Sequence, residues 1–176
     1  RFCAVLINHE RPLEVRQMTG WQSKDDCDRY MQDVYPSVWE KWEWVFDERP
    51  VSSFWEMKWP GTFMFNPQEP IGSGVYVRAS QFKLTPEGVK EVRDTYDENV
   101  IAPVVNSQGN KFIFVLHSTE HERVGSQVTG WETKGACDDY LTNTYPTLVN
   151  KKLSHVFEKA PTASFWDIKW PILIKF

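Results

Sequence analysis

From Val75 to Phe82 apolar and polar positions alternate: Val75, Val77 and Ala79 against Tyr76, Arg78 and Ser80. Period two with strand-forming residue types predicts a β-strand. Thr85-Pro86-Glu87 follows, a capping Thr, a Pro at the first helical position and an acidic first turn, so a helix opens there. Its apolar positions are Val89, Val92, Tyr96, Val100, Ile101 and Val104, and Pro103 should end or kink it. Ser107-Gln108-Gly109-Asn110 reads as a turn. Lys111 to His117 is predicted as a second strand, 118–123 as a charged hairpin loop and Val124 to Trp131 as a third strand. Thr133 caps a helix to about Tyr145, Pro146 starts a second helical stretch to about Lys159, and Ala163 to Trp170 is the last strand. The order β-α-β-β-α-β is the ferredoxin-like arrangement.

The pattern occurs twice. Thr19-Gly20-Trp21 returns as Thr129-Gly130-Trp131, Cys27 as Cys137, Tyr30 as Tyr140 and Tyr35-Pro36 as Tyr145-Pro146. After a one-residue slip, Ser53-Phe54-Trp55 returns as Ser164-Phe165-Trp166, and Lys58-Trp59-Pro60 as Lys169-Trp170-Pro171. The spacing exceeds that of solenoid repeats and indicates two copies of one small domain. Residues 1–60 form the first unit, 61–73 a Pro- and Gly-containing linker, and 74–176 the second unit. The first unit starts in what corresponds to strand two, which leaves a sheet edge and a helix position open. An N-terminal fragment, upstream or on another chain, is expected to complete it.

Composition narrows the function classes. A charge of −4 without a basic run argues against nucleic acid. No apolar run approaches the length of a membrane span, and none of these residues reads as a signal peptide, although the sequence starts at Arg1 rather than Met and leaves room for a targeting segment ahead of it. Three cysteines are an odd number, and Cys27 and Cys137 sit at matching places on mainly apolar helix faces. That placement suits buried, reduced thiols better than a disulfide scaffold or a nucleophile. A soluble protein of a reducing compartment, cytoplasmic or within an organelle, is favoured, though the sequence does not name the compartment. The four His and the Cys lack metal-ligand spacing, and no phosphate loop, nucleophile elbow or dinucleotide fingerprint occurs. His9 and His121 read as solvated hairpin-loop residues.

The strand Tyr76–Phe82, the Pro-containing helix 87–105, Trp131 at the end of strand three and the helix start Thr133–Asp139 followed by Tyr140 resemble the antibiotic biosynthesis monooxygenase-like family. The resemblance covers the second unit fully and the first from Arg1 to Pro60. It implies an α+β fold: two ferredoxin-like units whose four-stranded antiparallel sheets pack face to face as a pseudo-dimeric α+β barrel. Family monooxygenases that use no cofactor are similar at the strand-three Trp with a side-chain amide four residues earlier. Those positions are Trp131 with Gln127 and Trp21 with Gln17, although the family more often has Asn there. The implied chemistry is attack of dioxygen on an enolisable aromatic molecule that supplies its own electrons. Haem-degrading relatives carry a His where this chain has Met31 and Leu141, so that activity is disfavoured and no cofactor is expected.

Alternation suggests which side chains serve such a site. With Val75, Val77 and Ala79 placed under the helices, Tyr76, Arg78 and Ser80 should line the open face, together with Gln127, Thr129 and Trp131. If the Trp166, Ile168, Trp170 set packs on the helices, Asp167 and Lys169 join that face. Gln17, Trp21 and Lys58 are their counterparts in unit one. Polar groups in an enclosed barrel mark either a solvated cavity or an ion-paired interface. Arg78, Gln127 and Trp131 are the candidate catalytic set and the others substrate-binding; Trp21 and Trp131 can equally be barrel-end plugs. A non-catalytic reading also stands, because Trp39, Trp42 and Trp44 cannot all share one helix face and would offer a docking surface to a protein partner or a second copy.

Overall fold

The computed structural model describes residues 2–57 and 74–172. Lys58 and the linker 61–73 lie outside the described residues. The strands are β1 (Phe2–Asn8), β2 (Val15–Gly20), β3 (Trp55–Glu56), β4 (Tyr76–Lys83), β5 (Asn110–Ser118), β6 (Val124–Trp131) and β7 (Thr162–Ile172). The helices are α1 (Lys24–Arg29), α2 (Tyr35–Trp42), α3 (Pro86–Tyr96), α4 (Ala102–Val105) and α5 (Lys134–Asn143).

Helix starts follow the local chemistry. The hydroxyls of Ser23, Thr85 and Thr133 accept from the backbone N–H of Asp26, Gly88 and Ala136 at 3.2, 3.0 and 3.1 Å. Prolines shape the rest. Pro103 cannot donate, and its ring crowds the preceding turn, so α3 and α4 are separated by a wider turn over Asp97–Ile101. Pro36 has the same setting after Tyr30–Val34, and Pro146 opens a wide-turned stretch, Pro146–Leu153.

The strands form one antiparallel sheet in the order β2-β1-β7-β4-β6-β5-β3. The four strands of unit two, β7-β4-β6-β5, have the ferredoxin-like order. The units are joined edge to edge: β7 pairs with β1 of unit one, and β3 of unit one pairs with β5. Leu6 of unit one is buried in one cluster with Val77, Ala79, Phe112, Phe114, Val128, Trp166 and Ile168, and Ala4 and Met18 pack against it. The molecule is thus an α+β, barrel-like protein with a curled sheet.

The expected assignment of faces is reversed. Val77 and Ala79 lie on the inner face away from the helices, with Trp166 and Ile168. Tyr76, Arg78, Ser80, Gln127, Thr129 and Trp131 lie beneath the helices, where Tyr76 and Trp131 share a cluster with Val92, Tyr96, Val104, Cys137, Tyr140 and Leu153. The inner face of the curled sheet gathers Leu6, Ala4 and Met18 of β1 and β2 with the apolar residues of β4 to β7 and so demands apolar side chains. The helix side can take polar strand residues because its own aromatic side chains give them partners. Among the described residues, the inner face carries the apolar cluster around Leu6, Val77, Phe112, Phe114 and Trp166.

Candidate functional site

β4 and β6 run antiparallel with Tyr76 opposite Trp131, Arg78 opposite Thr129 and Ser80 opposite Gln127. Directly opposed residues project to the same face, so six predicted site residues form a block between sheet and helices. All six are buried; Arg78 keeps only 2% of its surface. Gly130 lies between Thr129 and Trp131 because a Cβ there would come 2.1 Å from the Phe112 ring on the inner face.

Aromatic side chains cover the block. Trp131 donates from Nε1 to Thr129 Oγ1 at 2.9 Å and stacks on Tyr140 with centroids 4.9 Å apart. Tyr140 meets Tyr145 edge-on at 6.1 Å, and the Arg78 guanidinium lies 4.8 Å over the Tyr145 ring. That cation–π contact is the compensation seen for a charge almost wholly out of water. Arg78 Nε and Nη1 and Gln127 Nε2 are buried without a hydrogen-bond partner among the described residues. Ser80 donates to the Gln127 carbonyl at 3.4 Å.

The acids around Arg78 stay protonated. Burial pushes the Cys137 thiol up to about 11 and the Tyr140 phenol up to about 12, in both cases outweighing the pull of Arg78 in the other direction. Burial also raises the Tyr96 phenol, again against Arg78. The guanidinium therefore has neutral neighbours here, and an anion entering the block would meet no competing thiolate or phenolate. Ser80, Gln127, Tyr96 and Tyr145 line a cavity of about 20 Å³ together with Phe82, Val100, Val149, Leu153, Phe157 and Pro161. The volume suits one water-sized group.

Other predicted residues are placed differently. Asp167 is opposite Tyr76 and receives His9 Nδ1 at 3.1 Å, and the His9 ring meets Tyr76 edge-on at 5.1 Å. His9 is exposed in a bend, as expected of a loop residue, and its contact with Asp167 and Tyr76 of unit two is one that no local pattern signalled. Lys169 is exposed. Gln17 is exposed and donates to Cys3 Sγ at 3.4 Å, while Trp21 is half-buried and donates to Thr19 Oγ1 at 3.1 Å. Trp39 is half-buried against Phe46, whereas Trp42 and Trp44 are 56% and 80% exposed. Tyr96, Tyr140 and Tyr145 were not expected in the site; Tyr140 and Tyr145 recur as Tyr30 and Tyr35 in the repeat, which is the signal that could have found them. Among the described residues, no three His, Cys, Asp or Glu side chains group to hold a metal, and no helix is long and apolar enough to cross a membrane.

Compared by sequence, the chain matches no protein-family model and no curated protein. Its fold is that of known structures. An anthrone oxidase-like protein superimposes with a TM-score of 0.68 at 15% identity, covering 97% of this chain and 77% of that one. A protein from Fusobacterium nucleatum, assigned provisionally as a monooxygenase, gives 0.70 at 6% identity, covering 97% and 76%. A ferredoxin-fold protein of Listeria monocytogenes, related to antibiotic biosynthesis monooxygenases, gives 0.54 at 8%, covering 96% and 80%.

Proposed function

We propose that the block beneath the helices of unit two binds a small aromatic molecule through an ionised oxygen, and that the protein acts as a cofactor-independent monooxygenase on enolisable substrates. The observation that carries this reading is the Arg78 guanidinium, buried with Nε and Nη1 unpartnered, with the unpartnered Gln127 Nε2 on the same face, diagonally across the β4–β6 pair. Leaving donors and a charge in that state costs several kcal/mol, and an oxyanion recovers it by accepting paired hydrogen bonds. The fold it shares with an anthrone oxidase-like protein supports the reaction class.

In the reaction, a methylene beside a ring ketone loses a proton and becomes an enolate whose oxygen Arg78 and Gln127 hold. The enolate transfers electrons to dioxygen, a carbon–oxygen bond forms, and the proton returns to the peroxide. Loss of water leaves a second carbonyl, so one dioxygen is consumed per substrate and one atom leaves as water. Trp131, Tyr140 and Tyr145 supply apolar ring faces that exclude solvent. The cavity of about 20 Å³ borders Ser80 and Gln127 but not Arg78 and is too small for the ring, so binding includes displacement of Tyr145, which covers Arg78, together with Val149 and Leu153. Anthrone under anaerobic conditions is the probe: Arg78→Gln should weaken its binding at least about tenfold with little change in melting temperature. Equal affinity in wild type and variant refutes this reading.

The second reading, a non-catalytic interaction subunit, is favoured by Trp42 and Trp44 alone, which expose large aromatic surface in unit one. Arg78→Gln would leave partner capture intact there, and Trp42→Ala with Trp44→Ala would abolish it.

A further inference from the structure

The internal repeat shows which elements of unit two have no described counterpart in unit one. In unit two, β4 lies between β7 and β6, and α3 packs over Leu153 and Val156. The corresponding place in unit one lies between β3 and β2, the two ends of the sheet, and no described strand occupies it. Inserting one strand there closes the order into a ring: β3, the new strand, β2, β1, β7, β4, β6, β5 and back to β3. β2 is an end strand, paired with β1 alone among the described residues, so its outward edge can take another strand.

The helix face agrees. Leu148, Leu153 and Val156 of unit two are buried at 5%, 2% and 1%. Their repeat counterparts Val38, Trp42 and Val45 are exposed at 37%, 56% and 50%. No residue of α1 or α2 is buried, whereas α5 buries Cys137 and Tyr140. One sequence pattern thus has a covered and an uncovered copy in the same molecule. In the covered copy the cover is residues 76–105, a strand followed by an amphipathic helix.

We propose that the gap between β2 and β3, with the adjoining Val38, Trp42 and Val45 face, is the docking site for a β-strand and amphipathic helix of the 76–105 type, carried ahead of β1 on the same polypeptide. Chain order supports that source, since β4 and α3 directly precede β5 and the equivalent pair would directly precede β1. The incoming strand pairs with β2 in the register β4 uses on β6, so the residue it sets opposite Thr19 takes the position of Arg78. The surroundings of that position already exist. Trp21 to Thr19, Trp21 on Tyr30 (4.9 Å) and Tyr30 on Tyr35 (6.4 Å) reproduce the contacts among Trp131, Thr129, Tyr140 and Tyr145. A second block therefore stands half-built in unit one. The docking itself does not depend on the proposed reaction.

The test joins a second copy of residues 74–109 ahead of Arg1 through a Gly-Ser link, in the full chain. The melting temperature should rise by about 5 °C or more, and amide exchange over residues 15–20 and 38–45 should slow about tenfold or more. A version with Val92→Asp and Val104→Asp in the added copy should lose both effects. Because the fusion could perturb folding, the same segment is also added as a free peptide, which should protect the same amides. Unchanged exchange in both formats overturns the proposal. So does a parent chain that dimerises and protects residues 38–45 by itself, since a second copy would then be the occupant.

Discussion

Arg78 carries the functional argument, and its energetics separate function from scaffold. A buried cation whose Nε and Nη1 find no acceptor destabilises the fold, so Arg78→Met, of similar length and apolar, should stabilise it by about 1 kcal/mol or more while abolishing anthrone binding. Thermal melts and an anaerobic titration read the two effects separately. Gly130 gives the opposite case. A methyl group there would meet the Phe112 ring at 2.1 Å, and Gly130→Ala should cost about 1–3 kcal/mol in denaturant unfolding. Protonation adds a pH limit. Burial raises Cys137 from 9.0 to about 11 and Tyr140 from 10.0 to about 12, so the native state favours their neutral forms. The stabilisation they give is complete below about pH 9 and is lost as the pH rises through 11 and 12. A urea midpoint that falls over that window, and less steeply in Cys137→Ala, is expected.

Among the elements, helix starts and strands were legible because their chemistry is local. Thr85 and Thr133 announce caps, and Val124 to Trp131 is the strand its alternation predicts. Thr85→Ala, leaving the Gly88 N–H without its 3.0 Å acceptor, should cost about 1 kcal/mol. What alternation could not decide was which face meets the helices. Period two separates Tyr76, Arg78 and Ser80 from Val77 and Ala79 but is symmetric under exchange of the faces. The choice depends on which side has aromatic partners, here Tyr96, Tyr140 and Tyr145, and that is settled only by the side on which the helices following β4 and β6 fold back over the sheet. For the same reason the sequence could show that Tyr76, Arg78 and Ser80 share one face of β4, and Gln127, Thr129 and Trp131 one face of β6, but not on which side of the sheet those faces lie. His9 on Asp167 is a contact between units and had no local signature.

For the whole molecule, the duplication predicted two related units, and the reciprocal pairing of β7 with β1 and β3 with β5 makes them one sheet. The apolar cluster between the units leaves the helix side of unit two as the place where charge, unpartnered donors and ring faces converge. The central claim is that a ligand oxygen binds there. The most direct measurement is a crystal structure of the protein with anthrone under anaerobic conditions. The ligand oxygen should lie within hydrogen-bond distance of Arg78 Nε or Nη1 and Gln127 Nε2, with Tyr145 displaced. A ligand seated against Val77, Phe114 and Trp166 on the inner face, or binding that leaves Arg78 uncontacted, would contradict the account.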